Sequence, residues 1–369
     1  MSLSAPFGHR EGVGAGTIPP MTQDAVGWRL GRRPGLDGLR GIAVVCVIGF
    51  HSPVIAPGGA LGAAGVSVFF ALSGFLITLL LLEEHGDTGS INLVRFYRNR
   101  ALRLFPALTA MLVFVAALMV PAGFLGVGQV AAAGLYVANI VEASGGDLGM
   151  LVHTWSLATE EQFYLLWPLV VVFLARRRRA LLVACVVGIG VSTALRVLLW
   201  LSDGGFSRIY YAPDTQASGL LVGCLLAVLV HRGWWRRLPT WTLGVGLAAL
   251  LGSRYLVGTD VVSVLIPAVI PWLAAAMICC VLEQPPRWLA VGPLPYLGRR
   301  SYGLYLWHLP IFAICAGLSV PHWVALLTSP VVAELSWRFI EEPFLALKRR
   351  SLIPAHPTPS LRRRVEAGR

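Results

Sequence analysis

The sequence predicts an all-α polytopic membrane protein of about ten transmembrane helices, with eleven as the alternative, around a central polar cavity. Three observations predict it. Of the 369 residues, 56% are hydrophobic and only 13% are charged, and the mean hydropathy is +0.71. Apolar runs close to the ~20 residues that cross a bilayer recur along the whole length. The basic residues behind the net charge of +12 gather in short joints between those runs. Cytoplasmic loops are built that way, so the charge is no argument for nucleic-acid binding.

Residues 1–33 open with a stretch rich in Gly, Pro and small polar residues. It lacks the basic start, apolar core and cleavage site of a signal peptide, and is expected to be a mobile cytoplasmic tail. The first span follows, from Leu36-Asp37-Gly38-Leu39-Arg40-Gly41 to His51. Arg40 and His51 are eleven residues apart, so a helix puts both on one face, ~16 Å from each other. An arginine at one membrane edge and a histidine at depth are costly to keep, and so are candidates for function.

A second span is expected near residues 62–82. Residues 83–103 read as a polar loop carrying Arg95, Arg98, Arg100 and Arg103. Apolar runs then cover about 104–120, 125–142, 158–175, 180–201, 215–230, 240–257, 261–282, 302–320 and 323–346. Placing the basic joints inside is consistent from residue 158 to the C-terminus, and placing the N-terminus and the 83–103 loop inside is consistent at the start, but the two halves agree in parity only if one run between residues 104 and 157 does not cross fully. The candidates are 125–142, or 143–157 dipping back; such backbone is tolerated where protein covers it or a cavity is lined. The expected membrane domain is 34–347, followed by a basic cytoplasmic tail over 348–369, with both termini inside the inner (plasma) membrane. No internal repeat is evident. All six cysteines fall in apolar runs and read as packed residues, without a disulfide or metal framework.

Five stretches could carry chemistry. Arg98, Arg100 and Arg103 lie within six residues, and Arg100 and Arg103 share a helical face. Planar guanidinium forks suit phosphate; the plain alternative is a positive-inside anchor. In His153-Thr154-Trp155-Ser156-Leu157-Ala158-Thr159-Glu160-Glu161-Gln162, Ser156 can cap a helix whose first turns hold two carboxylates. Those carboxylates run straight into an apolar span, where one facing a cavity is as good a reading as capping. Tyr211, Asp214 and Thr215 surround a Pro-containing helix start. Tyr302, Tyr305 and His308 follow at helical spacing, a pattern shared by interface belts and by sites. Glu334 and Arg338 form an i,i+4 pair within a span. No His-Glu-x-x-His, Gly-x-Ser-x-Gly or phosphate-loop pattern occurs, so a zinc peptidase, a serine hydrolase and a nucleotide hydrolase lack their usual parts.

In this order, the stretches resemble the acyltransferase 3 family of integral membrane proteins. The matches are Asp37-Gly38-Leu39-Arg40-Gly41 with His51; Phe69-Phe70 with Ser73-Gly74-Phe75-Leu76-Ile77; Phe96-Tyr97-Arg98 with Arg100 and Arg103; Trp155-Ser156-Leu157 with Glu160-Glu161-Gln162-Phe163-Tyr164; Tyr211 with Asp214-Thr215; Tyr302-Gly303 with Tyr305 and His308; and Arg338-Phe339-Ile340-Glu341 with Pro343. The resemblance covers about residues 34–346. It implies transfer of an acyl group, commonly acetyl, from cytoplasmic acyl-CoA to a hydroxyl of a surface sugar, polysaccharide or glycolipid, or of a macrolide-type small molecule. It also implies that Arg40 and His51 are the essential pair. Three positions depart from the family pattern: Gln216 stands where arginine is common, Asn99 interrupts a basic run, and Glu342 replaces a basic residue. Because the sequence ends soon after its last expected span, the soluble esterase-like domain that some members carry is not expected here.

A mechanism follows from these expectations. Arg98, Arg100 and Arg103, with Arg40, hold the phosphates of acyl-CoA, and the thioester reaches His51. His51 acts as general base, Glu160 or Glu161 orients it, and Trp155, Tyr211, Asp214, Tyr305 and His308 bind the acceptor. Transfer is direct, with a covalent acyl-histidine as the alternative. Tyr305 or a backbone amide near Ser73-Gly74 would stabilise the oxyanion, and no metal takes part. The contrasting class is a multi-helix transporter of an anionic or sugar-like solute, which would more often show repeated halves.

Overall fold

The computed structural model describes residues 29–31, 33–52 and 59–350. Of the tails expected over 1–33 and 348–369, residues 1–28, 32 and 351–369 lie outside the described residues. Leu30 is buried, and Arg33 Nη1 donates to the Leu282 carbonyl at 2.7 Å.

The described chain is helical throughout. In order the helices are α1 (Pro34–His51), α2 (Leu61–Thr88), α3 (Leu93–Met119), α4 (Val127–Gly134), α5 (Ala138–Ala143), α6 (Thr154–Leu174), α7 (Arg178–Leu201), α8 (Phe206–Tyr211), α9 (Pro213–His231), α10 (Thr240–Gly252), α11 (Ile266–Val281), α12 (Arg287–Ala290), α13 (Pro293–Arg299), α14 (Ser301–Gly317), α15 (His322–Ser336) and α16 (Glu342–Arg350). Two π-helical turns, Val261–Leu265 and Trp337–Glu341, lead into α11 and α16.

Seven stretches among the described residues are long and apolar enough to cross a membrane: α1, α2, α3, α6, α7, α8 with α9, and Val261–Val281. Their outward faces are apolar. Val113 and Leu118 on α3, Leu165 and Phe173 on α6, and Val187 and Leu198 on α7 are all exposed. That is the surface of a membrane protein, whose outer solvent is lipid.

The bundle is wrapped around α2, which is apolar on all sides and correspondingly buried. It crosses α9 at backbone distance. A Cβ on Gly74 would collide with the Leu220 carbonyl, and one on Gly223 with the Ala71 carbonyl, so small residues on both helices set the approach. The Asp37-Gly38-Leu39-Arg40-Gly41 stretch works in the same way. Gly38 and Gly41 admit the backbone of Leu289 and Leu294, which docks α12 and α13 onto α1.

Two expectations about local structure change. The basic stretch 95–103 is not a loop. α2 continues to Thr88, and α3 starts at Leu93, capped by the Asn92 side chain accepting from the Arg95 amide at 2.8 Å. Arginines are good helix formers, so polarity alone did not mark a break. Ser156 is not a cap, because α6 begins at Thr154.

The 125–142 run folds as α4 and α5, of 8 and 6 residues, neither long enough to cross a bilayer. They meet at Tyr136, whose φ of 55° lies in the left-handed region. A pair of amides ties this segment to α6: Asn139 Nδ2 donates to Gln162 Oε1 at 2.9 Å, and Gln162 Nε2 donates to the Tyr136 carbonyl at 2.8 Å.

Candidate active site

Three cavities line up along α1. A vestibule of about 330 Å³ lies at the Arg33 end, lined by Arg33, Asp37, Arg40, Arg103, Arg299 and Glu341 among others. It shares Arg40, Leu76, Arg103 and Tyr302 with a second, cationic chamber of about 120 Å³. That chamber shares Val66 and Tyr305 with a third, of about 230 Å³, which holds His51 and His153 amid Phe50, Trp155, Tyr210 and Tyr211. Arg40 and His51 thus open into successive chambers along one helix face, as their spacing requires.

In the cationic chamber the arginines divide into two kinds. Arg100 is neutralised. Its Nε donates to Glu161 Oε2 at 2.8 Å, its Nη2 bonds Glu161 Oε1, and its guanidinium lies 3.3 Å from the centre of the Tyr164 ring. Arg40 and Arg103 form no ion pair among the described residues. Arg40 reaches only the Ser301 hydroxyl, at 3.4 Å, with the Phe69 ring 5.8 Å away. Arg98 is exposed and lines none of the three cavities. Of the three arginines expected to meet an anion, Arg103 therefore faces the chamber with its charge uncompensated by an ion pair, and Arg40 joins it from α1.

The carboxylates expected beside His51 are elsewhere. Glu161 is held by Arg100, and Glu160 accepts from Ser73 Oγ at 2.9 Å, both in the cationic chamber. The partner of His51 is a second histidine. His51 Nδ1 lies 2.9 Å from the Val47 carbonyl and 3.3 Å from His308 Nε2. A carbonyl only accepts, so Nδ1 carries the proton and Nε2 is the basic nitrogen. His308 is fully buried, and its Nδ1 donates to the Tyr305 carbonyl at 2.7 Å, which turns the lone pair of its Nε2 towards His51. His153 completes the group, its ring 5.3 Å from that of His308 and its Nε2 donating to the Leu306 carbonyl at 3.1 Å. Spacing gave no sign of this cluster, since 257 residues separate His51 from His308.

Tyr305 is the wall between the two chambers. Its hydroxyl donates to the His153 carbonyl at 2.8 Å and therefore accepts from Ser156 Oγ at 2.6 Å. With its one proton engaged, it is not free to stabilise an oxyanion in this arrangement. The Ser73 and Gly74 amides are inside α2, so the other expected donor is likewise occupied by the helix.

Aromatic rings crowd the histidine chamber: Trp155 lies 4.9 Å from Tyr210 and 5.3 Å from Tyr211, and Phe206 stacks on Tyr210 at 5.1 Å. Trp155 and Tyr211 are where the sequence placed acceptor-binding residues. Asp214 is not. It is exposed, paired with Arg208 at 2.6 Å, and outside the chamber lining. Gln216 is a buried strut whose Nε2 donates to the Tyr210 carbonyl at 2.5 Å. A cation does reach this turn, from α7. Arg196 is fully buried and donates to the Thr215 carbonyl and, at 3.0 Å, to Ser218 Oγ. Its one signal in sequence was a lone arginine within the apolar run 180–201.

At the opposite end, Glu334 gathers Arg338 at 2.6 Å, the Tyr296 hydroxyl at 2.8 Å and Arg300. The i,i+4 pair read from sequence is thus part of a larger charge network.

A model of the acyltransferase 3 family, described as an acyltransferase domain, matches residues 33–336. The chain is similar to the O-acetyltransferase OatA of Staphylococcus aureus strain NCTC 8325, with 32% identity over 84% of this chain and 57% of that protein. It is similar to the peptidoglycan O-acetyltransferase OatA of Listeria monocytogenes strain EGD-e, with 33% identity over 84% of this chain and 55% of that protein. The chain spans a little over half the length of these curated relatives. No solved structure matches it.

Proposed function

The chain belongs to the acyltransferase 3 family, and on that premise we propose that it is a membrane O-acyltransferase that moves an acetyl group from cytoplasmic acyl-CoA to a hydroxyl of a sugar, polysaccharide or glycolipid. The observation that carries this reading is the shared wall at Tyr305. On one side is a chamber with two cations that form no ion pair; on the other is an aromatic chamber with a basic histidine nitrogen. A two-substrate transfer between an anionic donor and a carbohydrate needs both, and needs them adjacent.

In this reading Arg103 and Arg40 hold the phosphates of the donor, with Arg299 and Arg33 at the vestibule. The ~16 Å along α1 carries the pantetheine arm to His51. The acceptor hydroxyl lies against Trp155 and Tyr211. Its oxygen attacks the thioester carbonyl while its proton passes to His51 Nε2. The C–S bond then breaks, and the CoA thiolate leaves and takes up a proton. His308 does the work first assigned to Glu160 or Glu161. Its Nε2 accepts from His51 Nδ1 and stabilises the imidazolium that forms, as the carboxylate of a triad does. Glu161 and Arg100 brace the donor chamber through their ion pair, and Glu160 is the anion that phosphate must pass.

The same reading gives the topology. Taking α10, α14 and α15 as crossings beside the seven apolar stretches makes ten, with α4 and α5 re-entrant and both termini on the cytoplasmic side of the inner membrane. Release of free CoA by the purified chain in lipid nanodiscs tests the function. Release that depends on a hydroxyl-bearing saccharide is expected. Saccharide flux across sealed vesicles without CoA release would instead point to the transporter class.

A further inference from the structure

The histidine chamber does not end at Tyr210. A fourth cavity, of about 520 Å³, shares Phe206 with it. The divider is made of two short elements that each present residues to both sides. α8 gives Tyr210 to the histidine chamber and Ile209 to the outer cavity. The π-helical turn Val261–Leu265 gives Val262 to the first and Ser263 to the second. π-turns recur where a helix is re-aimed at a functional site.

The outer cavity has saccharide-binding chemistry. Trp200 is 42% exposed, and its Nε1 donates to Asp260 Oδ1 at 2.9 Å, so the ring is held at the rim rather than packed away. Asp203 stands on the same wall with a φ of 52°, in the left-handed region, at the turn that follows α7. A flat ring offers a face to the C–H side of a sugar. A carboxylate accepts hydroxyl protons in charge-assisted hydrogen bonds. A cavity with an aromatic platform and a few convergent polar groups is the usual form of a small-molecule site. The histidine chamber, of about 230 Å³, has room for the reacting unit of a polymer, and the outer cavity adjoins it across Phe206.

We propose that the Trp200–Asp203–Asp260 cavity is an outer subsite that seats the neighbouring sugar unit of an oligosaccharide acceptor while the reacting unit lies beside His51. This rests on the saccharide-acceptor reading above. The subsite makes the enzyme prefer an acceptor of several units over a single one, and Trp200 carries most of that preference.

The test uses the full chain in nanodiscs with acetyl-CoA and two acceptor series, glucose-type and N-acetylglucosamine-type, each as one unit and as a β-1,4-linked tetramer. The readout is the ratio of kcat/KM for tetramer to monomer. Wild type is expected to favour the tetramer, and Trp200→Ala to cut the ratio about tenfold, with Trp200→Phe restoring most of it. Acetyl-CoA affinity by calorimetry reports whether each variant is folded. If Trp200→Ala does not fold, Asp203→Asn is read in its place, with a smaller drop in the same ratio. Equal use of monomer and tetramer by wild type, or a ratio unmoved in folded variants, overturns the subsite and leaves the transferase reading standing. A wild type that acetylates none of these saccharides overturns the saccharide-acceptor reading and the subsite with it.

Discussion

At the Arg33 end of α1 the cavity wall is built of charge; at the His51 end it is built of rings. Both ends contain tyrosines, but the arginines and carboxylates line only the first. In the cationic chamber Arg100 is satisfied by Glu161, while Arg40 and Arg103 form no ion pair among the described residues. In the histidine chamber the polar groups partner one another, through backbone carbonyls and through a histidine pair, and the rest of the lining is aromatic rings, valines and small residues. The contrast teaches how, on the proposed reading, a single helix face would serve two ligands: an anion met by charge left without an ion pair, and a neutral polyol met by surfaces and by one nitrogen whose tautomer is fixed.

The largest expected effect separates chemistry from binding at the ring end. His51→Ala should lower kcat by roughly 10²–10⁴-fold, the usual worth of a general base, with acetyl-CoA affinity retained. Steady-state turnover beside calorimetry checks it. At the charged end, Arg100→Ala should act on stability rather than selectively on binding. It strands Glu161 half-buried, and breaking such a pair costs about 3–5 kcal/mol, visible as a large loss of thermal stability in detergent. Arg103→Ala should do the reverse. It should weaken acetyl-CoA binding about 10–100-fold, as expected for losing hydrogen bonds to a charged group, and leave the melting temperature nearly unchanged.

A smaller effect sharpens the contrast within the ring end. His308→Asn should lower kcat about tenfold while leaving KM for both substrates close to wild type, because it removes a positioning partner rather than a contact with substrate. An equal rise in both KM values would show that His308 shapes the chamber instead. The smallest expected effect is Trp155→Phe, which keeps a stacking face and should raise the acceptor KM only two- to threefold.

How much of this was legible in the sequence follows from what each feature depends on. The helices α1, α2, α6, α7 and α9 are each announced by an apolar run, because burial in lipid is a local property of composition. Charge parity called for one run between 104 and 157 that does not cross, with 125–142 or 143–157 as the choices, and 125–142 folds as two helices too short to span. The start of α3 was missed, because Arg95 to Arg103 look like loop to a hydropathy reading and like good helix formers to the backbone. The site divides in the same way. Arg40 and His51 share one helix, so their common face could be derived. The Arg100–Glu161 pair joins residues 61 apart, and the His51–His308 pair joins residues 257 apart. No periodicity encodes those contacts. Chemistry alone could not say that Glu160 meets the Ser73 hydroxyl and Glu161 meets Arg100, or that Asp214 pairs with Arg208 six positions upstream.

The measurement that bears most directly on this two-ended account is acetyl-CoA binding by calorimetry to the chain in lipid nanodiscs, comparing wild type, Arg103→Ala and His51→Ala. The account predicts that Arg103→Ala loses most of the affinity, and that His51→Ala binds like wild type while failing to turn over. Unchanged binding in Arg103→Ala together with lost binding in His51→Ala would contradict it, because the donor's anionic end would then lie in the chamber of rings.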